Sequence, residues 1–559
     1  MSTQKNMKKI LIRLIIIIPC AILLASGIAV LGYFTFFPAK MKLMIAGYNS
    51  TVKLYNCIDK NIDLLMNRYF TPRFESTVRE ERRLGLSLNE KFLTVFITPE
   101  EAEALLPHIN RLELGYESQL NIKNRKHSSE LWLSYFLNTL LTARLSVDGN
   151  RFGFGVDELS NKTVAGEMSD LGRLSYFFPE IPEEFWDAAE NTDPWIWAKT
   201  AEQVEFDRKA LKKAMTGYFN EIMSSVGTRN ITGSRYKTEV LGDETACFGV
   251  IIRLDENDQK ELVSKIIGKL KEDDFVYGIT AGNIKKALDI LGENEYYREL
   301  VSGYGLADAF GRDDYIRGLS RLEEEILSAS LPELTIRIYI DGLDIVKYSF
   351  DFGAKEDTAA GKNTPDPAVV IEQRINGPSF QLAISSYCGI DNGYPAYLYV
   401  KRDHNADKDL NGIEMRLNMG DTVSRNDNYC SVSIKSSETE KSRNEKSHII
   451  DASLEYGMPY LLGEGKLGLS LEGTIKKDSG KQTTKKDYKG RLTFLIPFVS
   501  SDEQSIGFYY DTKTIYGEKV VIPEPDDVLD LKTATDEDFE MLIDEVYDKI
   551  NALMRLAGF

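Results

Sequence analysis

The chain has 559 residues, with 68 Lys and Arg against 86 Asp and Glu, a formal net charge of −18, 43% hydrophobic and 28% charged residues. This balance describes a folded chain long enough for a large core. It argues against nucleic acid as a partner, since a phosphate backbone has to be met by a basic face. Five cysteines are too few for a disulfide scaffold in a chain of this length.

In chain order, residues 1–13 form a short tail carrying Lys5, Lys8, Lys9 and Arg13. Leu14 to Phe37 then runs LIIIIPCAILLASGIAVLGYFTFF without a charge, matching the ~20 apolar residues that cross a bilayer. The expectation is an uncleaved transmembrane helix over 14–37, with a cleaved signal peptide as the rival. Pro19 stands before Cys20 where lipoprotein processing wants a small residue. The basic tail places the N-terminus in the cytoplasm, which gives a single-pass protein of the cell membrane with an extracytoplasmic C-terminal ectodomain.

Region 38–200 is expected to hold an N-terminal helix and strands. Ile45, Tyr48, Val52, Tyr55, Ile62, Leu65 and Tyr69 recur at helical spacing. A strand is expected from Phe74 to Leu88, a short helix capped by Thr98 with Glu101 three residues on, and further strands from Arg111 to Val156. An aromatic segment follows with Phe177, Phe178, Phe185, Trp186, Trp195 and Trp197, read as a loop pinned across the core, with a carbohydrate or lipid groove as the sharper alternative.

Region 201–330 reads as mainly helical, with helices over 207–226, 257–270, 281–291 and 313–327 and a strand pair near 228–254. Region 331–520 alternates with period two, which calls for an antiparallel sheet with one buried and one wet face. Region 521–559 is a linker and then a terminal helix capped by Thr535, with Phe539, Leu542, Ile543, Val546, Ile550 and Leu553 in one stripe. The fold class expected is α+β: the transmembrane helix, then an ectodomain of a large curved antiparallel β-sheet with helices packed on it.

Motifs that carry chemistry are scarce, and the sequence assigns no catalytic, cofactor-binding or metal residue and no cofactor. Asp403 to Glu414 has oxygen-bearing side chains at calcium-loop spacing, but Lys408 occupies the turn glycine's place and the flanks are strand-like, so a solvated hairpin is expected. His108, His127, His404 and His448 are scattered and expected at the surface. Ser234 and Lys237 spell SxxK without partner motifs and do not share a strand face. Gly303 to Gly311 is read as a helix terminator, not a phosphate loop. Cys388 and Cys430 are expected to point into the core as thiols, with a disulfide as the alternative. Cys57 and Cys247 have no evident partner.

The order of parts, with KLYNCIDKNIDLLMNRYF, RFGFGVDELSNKTVAGEMSDLGRLSYFF, RLDENDQKELVSKIIGKLKEDD, LPELTIRIYIDG and DLKTATDEDFEMLIDEVYDKINAL, resembles a family of uncharacterised single-pass membrane-anchored extracytoplasmic proteins of Gram-positive anaerobes. The resemblance implies a cell-envelope location and no known activity. At fold level the chain is also similar to the half-barrels of lipid-binding lipoproteins, which fixes no function. The expectation is a non-enzymatic binding or structural ectodomain, joined to the membrane by its N-terminal helix, with a cell-wall, lipid or protein partner. A lipid or lipoprotein carrier or sensor using the concave sheet face is the first alternative, and a cell-wall or polysaccharide hydrolase the second.

Overall fold

The computed structural model describes residues 38–136, 138–176, 180–190, 193–196, 198–199, 207–292, 298, 310–352, 369–387, 395–420, 429–458, 463–478, 480, 482–495, 503–522 and 527–557. Its frame is one sheet of 20 strands. The first six are Val78–Ser87 (β1), Leu112–Asn121 (β2), Lys126–Tyr135 (β3), Asn138–Asp148 (β4), Arg151–Val156 (β5) and Lys162–Glu167 (β6). The middle of the chain supplies Ile231–Val240 (β7), Asp243–Leu254 (β8), Leu334–Asp341 (β9) and Asp344–Phe352 (β10). Nine follow in sequence: Val369–Asn376 (β11), Ser379–Tyr387 (β12), Pro395–Asn405 (β13), Leu410–Gly420 (β14), Tyr429–Ser442 (β15), Glu445–Met458 (β16), Gly463–Asp478 (β17), Thr483–Leu495 (β18) and Gln504–Tyr516 (β19). A short last strand is Asp527–Asp530 (β20).

The pairings place these side by side from β7 through β19 in chain order, then β1 to β6, then β20. Two meanders are therefore joined where β19 meets β1, with Val78 opposite Tyr516 and Leu86 opposite Phe508. At a strand spacing of ~4.8 Å the sheet is roughly 90 Å across.

Two parts of the expected fold class are corrected. The sheet is mixed, because β20 runs parallel to β6 while the other pairs are antiparallel. No described helix is long and apolar enough to cross a membrane, so the transmembrane-helix architecture does not stand on the described residues. The tail 1–13, the expected span 14–37 and Cys20 lie outside those residues.

Helices cover the sheet broadly at two places, and a short helix at Glu90–Leu93 packs at a third, where the Phe92 ring meets Phe494 of β18 edge-on at 5.8 Å. Ala39–Leu65 (α1) and Arg208–Ser225 (α2) lie over β7–β10, where Leu43, Ala46 and Met223 pack on Val250, Ile252, Ile338 and Ile340. Asp207 opens α2 by accepting from the backbone N–H groups of Lys209 and Ala210. The helices cross closely because α1 places Gly47 against the Phe219 ring, where a Cβ would stand 2.2 Å from Cε2. Glu256–Glu272 (α3), Asn283–Gly292 (α4) and Arg312–Ser328 (α5) complete the helical middle, close to the ranges that spacing predicts.

At the other margin, Asp536–Ala557 (α6) seats Phe539 and Leu542 on Val147, Phe152 and Leu531, together with Trp195. Trp195 donates from Nε1 to the Gly149 carbonyl at 2.9 Å, which pins the aromatic segment as expected, but the segment is not the loop expected, since Glu183–Glu190 is a helix that carries the buried Trp186. Ile550 and Tyr547, farther along α6, are exposed. The expected strand 74–88 starts later, at Val78, because Pro72 initiates a helical turn over Thr71–Glu75.

Candidate ligand-binding face

Cross-strand partners share a face, so the registers read out what each side of the sheet presents. On one side, a row across β14–β19 runs Met415, Ile434, Ala452, Leu469, Leu492, Ile506. The next row runs Leu417, Val432, Leu454, Leu467, Phe494. On the opposite side the matching row is Glu414, Lys435, Asp451, Ser470, Arg491, Gly507. The alternation is thus kept in register across six strands, and these two rows make an apolar band on one side.

That apolar side is the one on which α1 lies, but the helix stops short of β14–β19. Ile413 is 44% exposed, Ile434 39% and Leu467 45%. The exposure continues over β1–β4 at Leu86, Leu114, Leu131 and Leu145, which share the same face through Phe508–Leu86, Leu84–Leu114 and Leu131–Ala143. Single exposed leucines are ordinary, whereas a row of them across neighbouring strands marks a surface that another apolar body covers.

The apolar rows end at a polar one. His404, Asn411, Glu438, His448 and Tyr488 fall on the same face, four residues along their strands from the row of Met415 and Ile434. His448 bridges Ser436 Oγ at 2.9 Å and Tyr488 Oη at 2.7 Å, and His404 Nδ1 meets Asn411 Oδ1 at 2.8 Å. Lys446 joins Asp409 at 3.0 Å and Glu438 at 3.5 Å. Burial pushes the Asp409 carboxyl up, but hydrogen bonds and charge from Lys477 and Lys446 outweigh it and bring it down to about 2.

Where the covered and open parts meet, α1 and β11–β14 enclose a slot of about 480 Å³, within the roughly 300–1,000 Å³ of small-molecule sites. Leu54, Ile58 and Ile62 of the helix face Phe380, Leu382 and Val400 of the sheet. The polar groups in its wall include Asn61, Arg402 and the Cys57 thiol. Asn61 Nδ2 donates to the carbonyls of Cys57 at 2.7 Å and Pro378 at 3.1 Å, which fixes the amide, while its Oδ1 is buried without a donor. Burial raises the Cys57 thiol, opposed by the Asn61 hydrogen bond and the Arg402 charge.

A larger cleft of about 820 Å³ lies near β3–β6. Its charges answer one another, with Lys126 on Asp148 at 2.8 Å, Arg144 on Asp157 at 2.7 Å and Arg151 on Asp530 at 3.3 Å. It offers a ligand little uncompensated charge.

The residues singled out from sequence do not converge. Asp403–Glu414 is a hairpin between β13 and β14, with a turn over Ala406–Lys408 and Asp409 at φ +49°. Its carboxylates meet cations of the protein: Asp403 with Lys401 at 2.8 Å, Asp409 with Lys477 at 2.7 Å, and Glu414 with Arg416. No group of three or more His, Cys, Asp or Glu that could hold a metal occurs among the described residues. Ser234 and Lys237 sit on opposite faces of β7, with Lys237 paired to Glu244 at 2.8 Å. His108 is exposed as expected, beside Tyr135 Oη at 2.8 Å. His127 is half-buried, and burial lowers its pKa. Cys57, Cys247 and Cys430 are free thiols. Cys388, Phe177, Phe178, Trp197 and residues 303–309 lie outside the described residues.

Sequence reasoning missed the slot. The alternation of β11–β14 shows an apolar face, but no local signal brings Cys57 and Asn61 to Arg402. No protein-family model matches the chain, and no curated protein matches it.

Proposed function

We propose that this protein binds the acyl chains of lipids along the apolar side of its sheet. The carrying observation is that the apolar face of β14–β19 continues the one under α1 yet is only partly covered, with Ile413, Ile434 and Leu467 between 39% and 45% exposed and the rest of its two central rows half-buried. Each methylene that leaves water for such a surface contributes about 0.8 kcal/mol, and an extended chain lies along a strand-lined trough without needing polar partners. The polar row at Asn411, Glu438 and His448 gives the trough a wet margin where a headgroup is at home. A cell-envelope location belongs to this proposal.

The test is mass spectrometry of lipid extracts from the purified full chain, together with binding of a fluorescent diacyl phospholipid. Ile434→Asp with Leu467→Asp places two charges on the open face and should weaken binding by about two orders of magnitude, since each buried charge costs several kcal/mol. Ser453→Asp on the opposite face should leave it unchanged. Equal loss from both faces, or turnover of wall glycans without lipid binding, would favour a protein partner or a hydrolase instead.

A further inference from the structure

The cleft near β3–β6 lies on the polar side of the sheet. Ser128, Glu130, Arg144, Ser146 and Gly153 line it and share that face through the pairs Ser128–Ser146, Glu130–Arg144 and Ser146–Gly153. Its floor is small and rich in hydroxyls. The chain leaving β19 walls it with Val520 and Ile522, and the Val521 N–H between them donates to Gln119 Oε1 at 2.9 Å.

Two aromatic rings continue the cleft across the same face. Trp132 stands two residues beyond Glu130 and lies over Gly115 of β2, where a Cβ would be 1.9 Å from Cε2 and 2.2 Å from Cζ2. Tyr509 lies over Gly85 of β1, where a Cβ would be 2.0 Å from Cε1, and its Oη donates to Glu113 at 2.6 Å. A side chain at either glycine would lift the ring, so glycine keeps both rings laid down on the sheet. Covering a glycine shields its backbone, but Tyr509 is still 36% exposed, and its outer side is open to solvent.

The parts fall on a line. Ser146, Glu130, Gly115 and Gly85 occupy β4, β3, β2 and β1, each two residues further along than the last. Strand spacing and rise make this a straight diagonal of roughly 25 Å. Arg83 stands between the rings, opposite both Gly115 and Asp511.

We infer that this diagonal binds an extended, uncharged oligosaccharide, with sugar rings stacked on Trp132 and Tyr509 and hydroxyl groups bonded in the cleft to Glu130, Arg144 and Ser146. A pyranose has flat C–H faces that match an aromatic ring. Its alcohols both donate and accept, so they bond to ion-paired carboxylates and guanidiniums without upsetting the balance of charge. A polyanion would find Lys126, Arg144 and Arg151 already paired with acids, and an acyl chain would leave the hydroxyls of the floor unmet. The inference goes beyond the acyl-binding reading and uses the other side of the sheet.

The experiment titrates the full chain with cellopentaose and chitopentaose, with heparin as the polyanion. At least one pentasaccharide should bind, and its disaccharide should bind about tenfold more weakly because it spans too little of the diagonal. Trp132→Ala and Tyr509→Ala should each weaken the pentasaccharide by about tenfold, and Trp132→Phe, which keeps a ring face, by about threefold or less. Ile434→Asp with Leu467→Asp, on the other side, should leave it within about twofold. Because a substitution can disturb folding, hydroxyl-radical footprinting of the unmodified chain gives an independent readout: the pentasaccharide should protect Trp132 and Tyr509 and leave the exposed Tyr547 of α6 unchanged. Failure of both pentasaccharides to bind, tighter binding of heparin, affinity independent of chain length, or protection that misses both rings overturns the assignment. None of these outcomes bears on the acyl-binding reading, which stands or falls on lipid binding at the opposite face.

Discussion

The same alternating pattern has two fates in this sheet. Under α1 and α2 it makes a dry core, with Val250 fully buried, Ile340 1% exposed and Ile252 4% exposed. Across β14–β19 an equally regular pattern leaves Ile434 and Leu467 more than a third exposed. Alternation therefore specifies which side of a strand is apolar, and the element laid over that side decides whether the surface is spent on stability or left for a ligand.

The covered region also uses β-branched residues, Ile and Val, in its closest packing, whereas the open trough contains more Leu, Met and Phe. Stiff branched side chains suit a fixed partner such as a helix. Side chains without a branch at Cβ adapt more readily to a partner that comes and goes.

The largest expected effect separates these regions by stability. Ile340→Ala removes a fully enclosed side chain and should lower the unfolding free energy by about 2–5 kcal/mol. Leu467→Ala, half in solvent already, should cost no more than about 1 kcal/mol. Urea unfolding of the two variants decides the point, and equal losses would mean that the open face is packed in solution. An intermediate effect is expected at the helix that makes the difference. Gly47→Ala drives a methyl group into the Phe219 ring, an overpacking of about 1–3 kcal/mol against about 1 kcal/mol gained in helix propensity. A net loss of up to ~2 kcal/mol should appear, and a stabilised variant would show that α1 and α2 are free to separate.

The smallest effect lies at the polar margin of the trough. The Asp409 carboxyl is held down at about 2, so its stabilising contribution is present above the unfolded carboxylate range near ~4 and is lost as pH falls toward the folded value. The side chain is 48% exposed, and solvent screening limits the contribution to ~1 kcal/mol or less. The stability gap between wild type and Asp409→Asn should narrow between pH 6 and pH 3. A gap that stays constant would assign the effect to something other than charge.

Much of the local structure is legible in the sequence. Thr98 and Glu101 form the capping box that their spacing predicts, and Asp207 caps its helix. The helix expected at 313–327 is found at Arg312–Ser328. Long-range order is not legible in this way. Nothing near Val78 announces that its neighbour is Tyr516, because strand pairing depends on registers set far apart in the chain. His448 is a case between the two. Its isolation in the sequence suggests the surface, yet the registers bring it between Ser436 and Tyr488, where it is half-buried. The slot is hidden for the same reason, since Asn61 and the Pro378 carbonyl are 317 positions apart.

The seam between β1 and β19 sets an order of events during synthesis. Glu81 and Lys513, 432 positions apart, form an ion pair across it, so the border strand of the first meander must wait for almost the whole polypeptide to leave the ribosome. Until then β1 presents an unmated edge, the kind of surface on which nascent chains associate wrongly. Closure of the seam is accordingly a late step of folding.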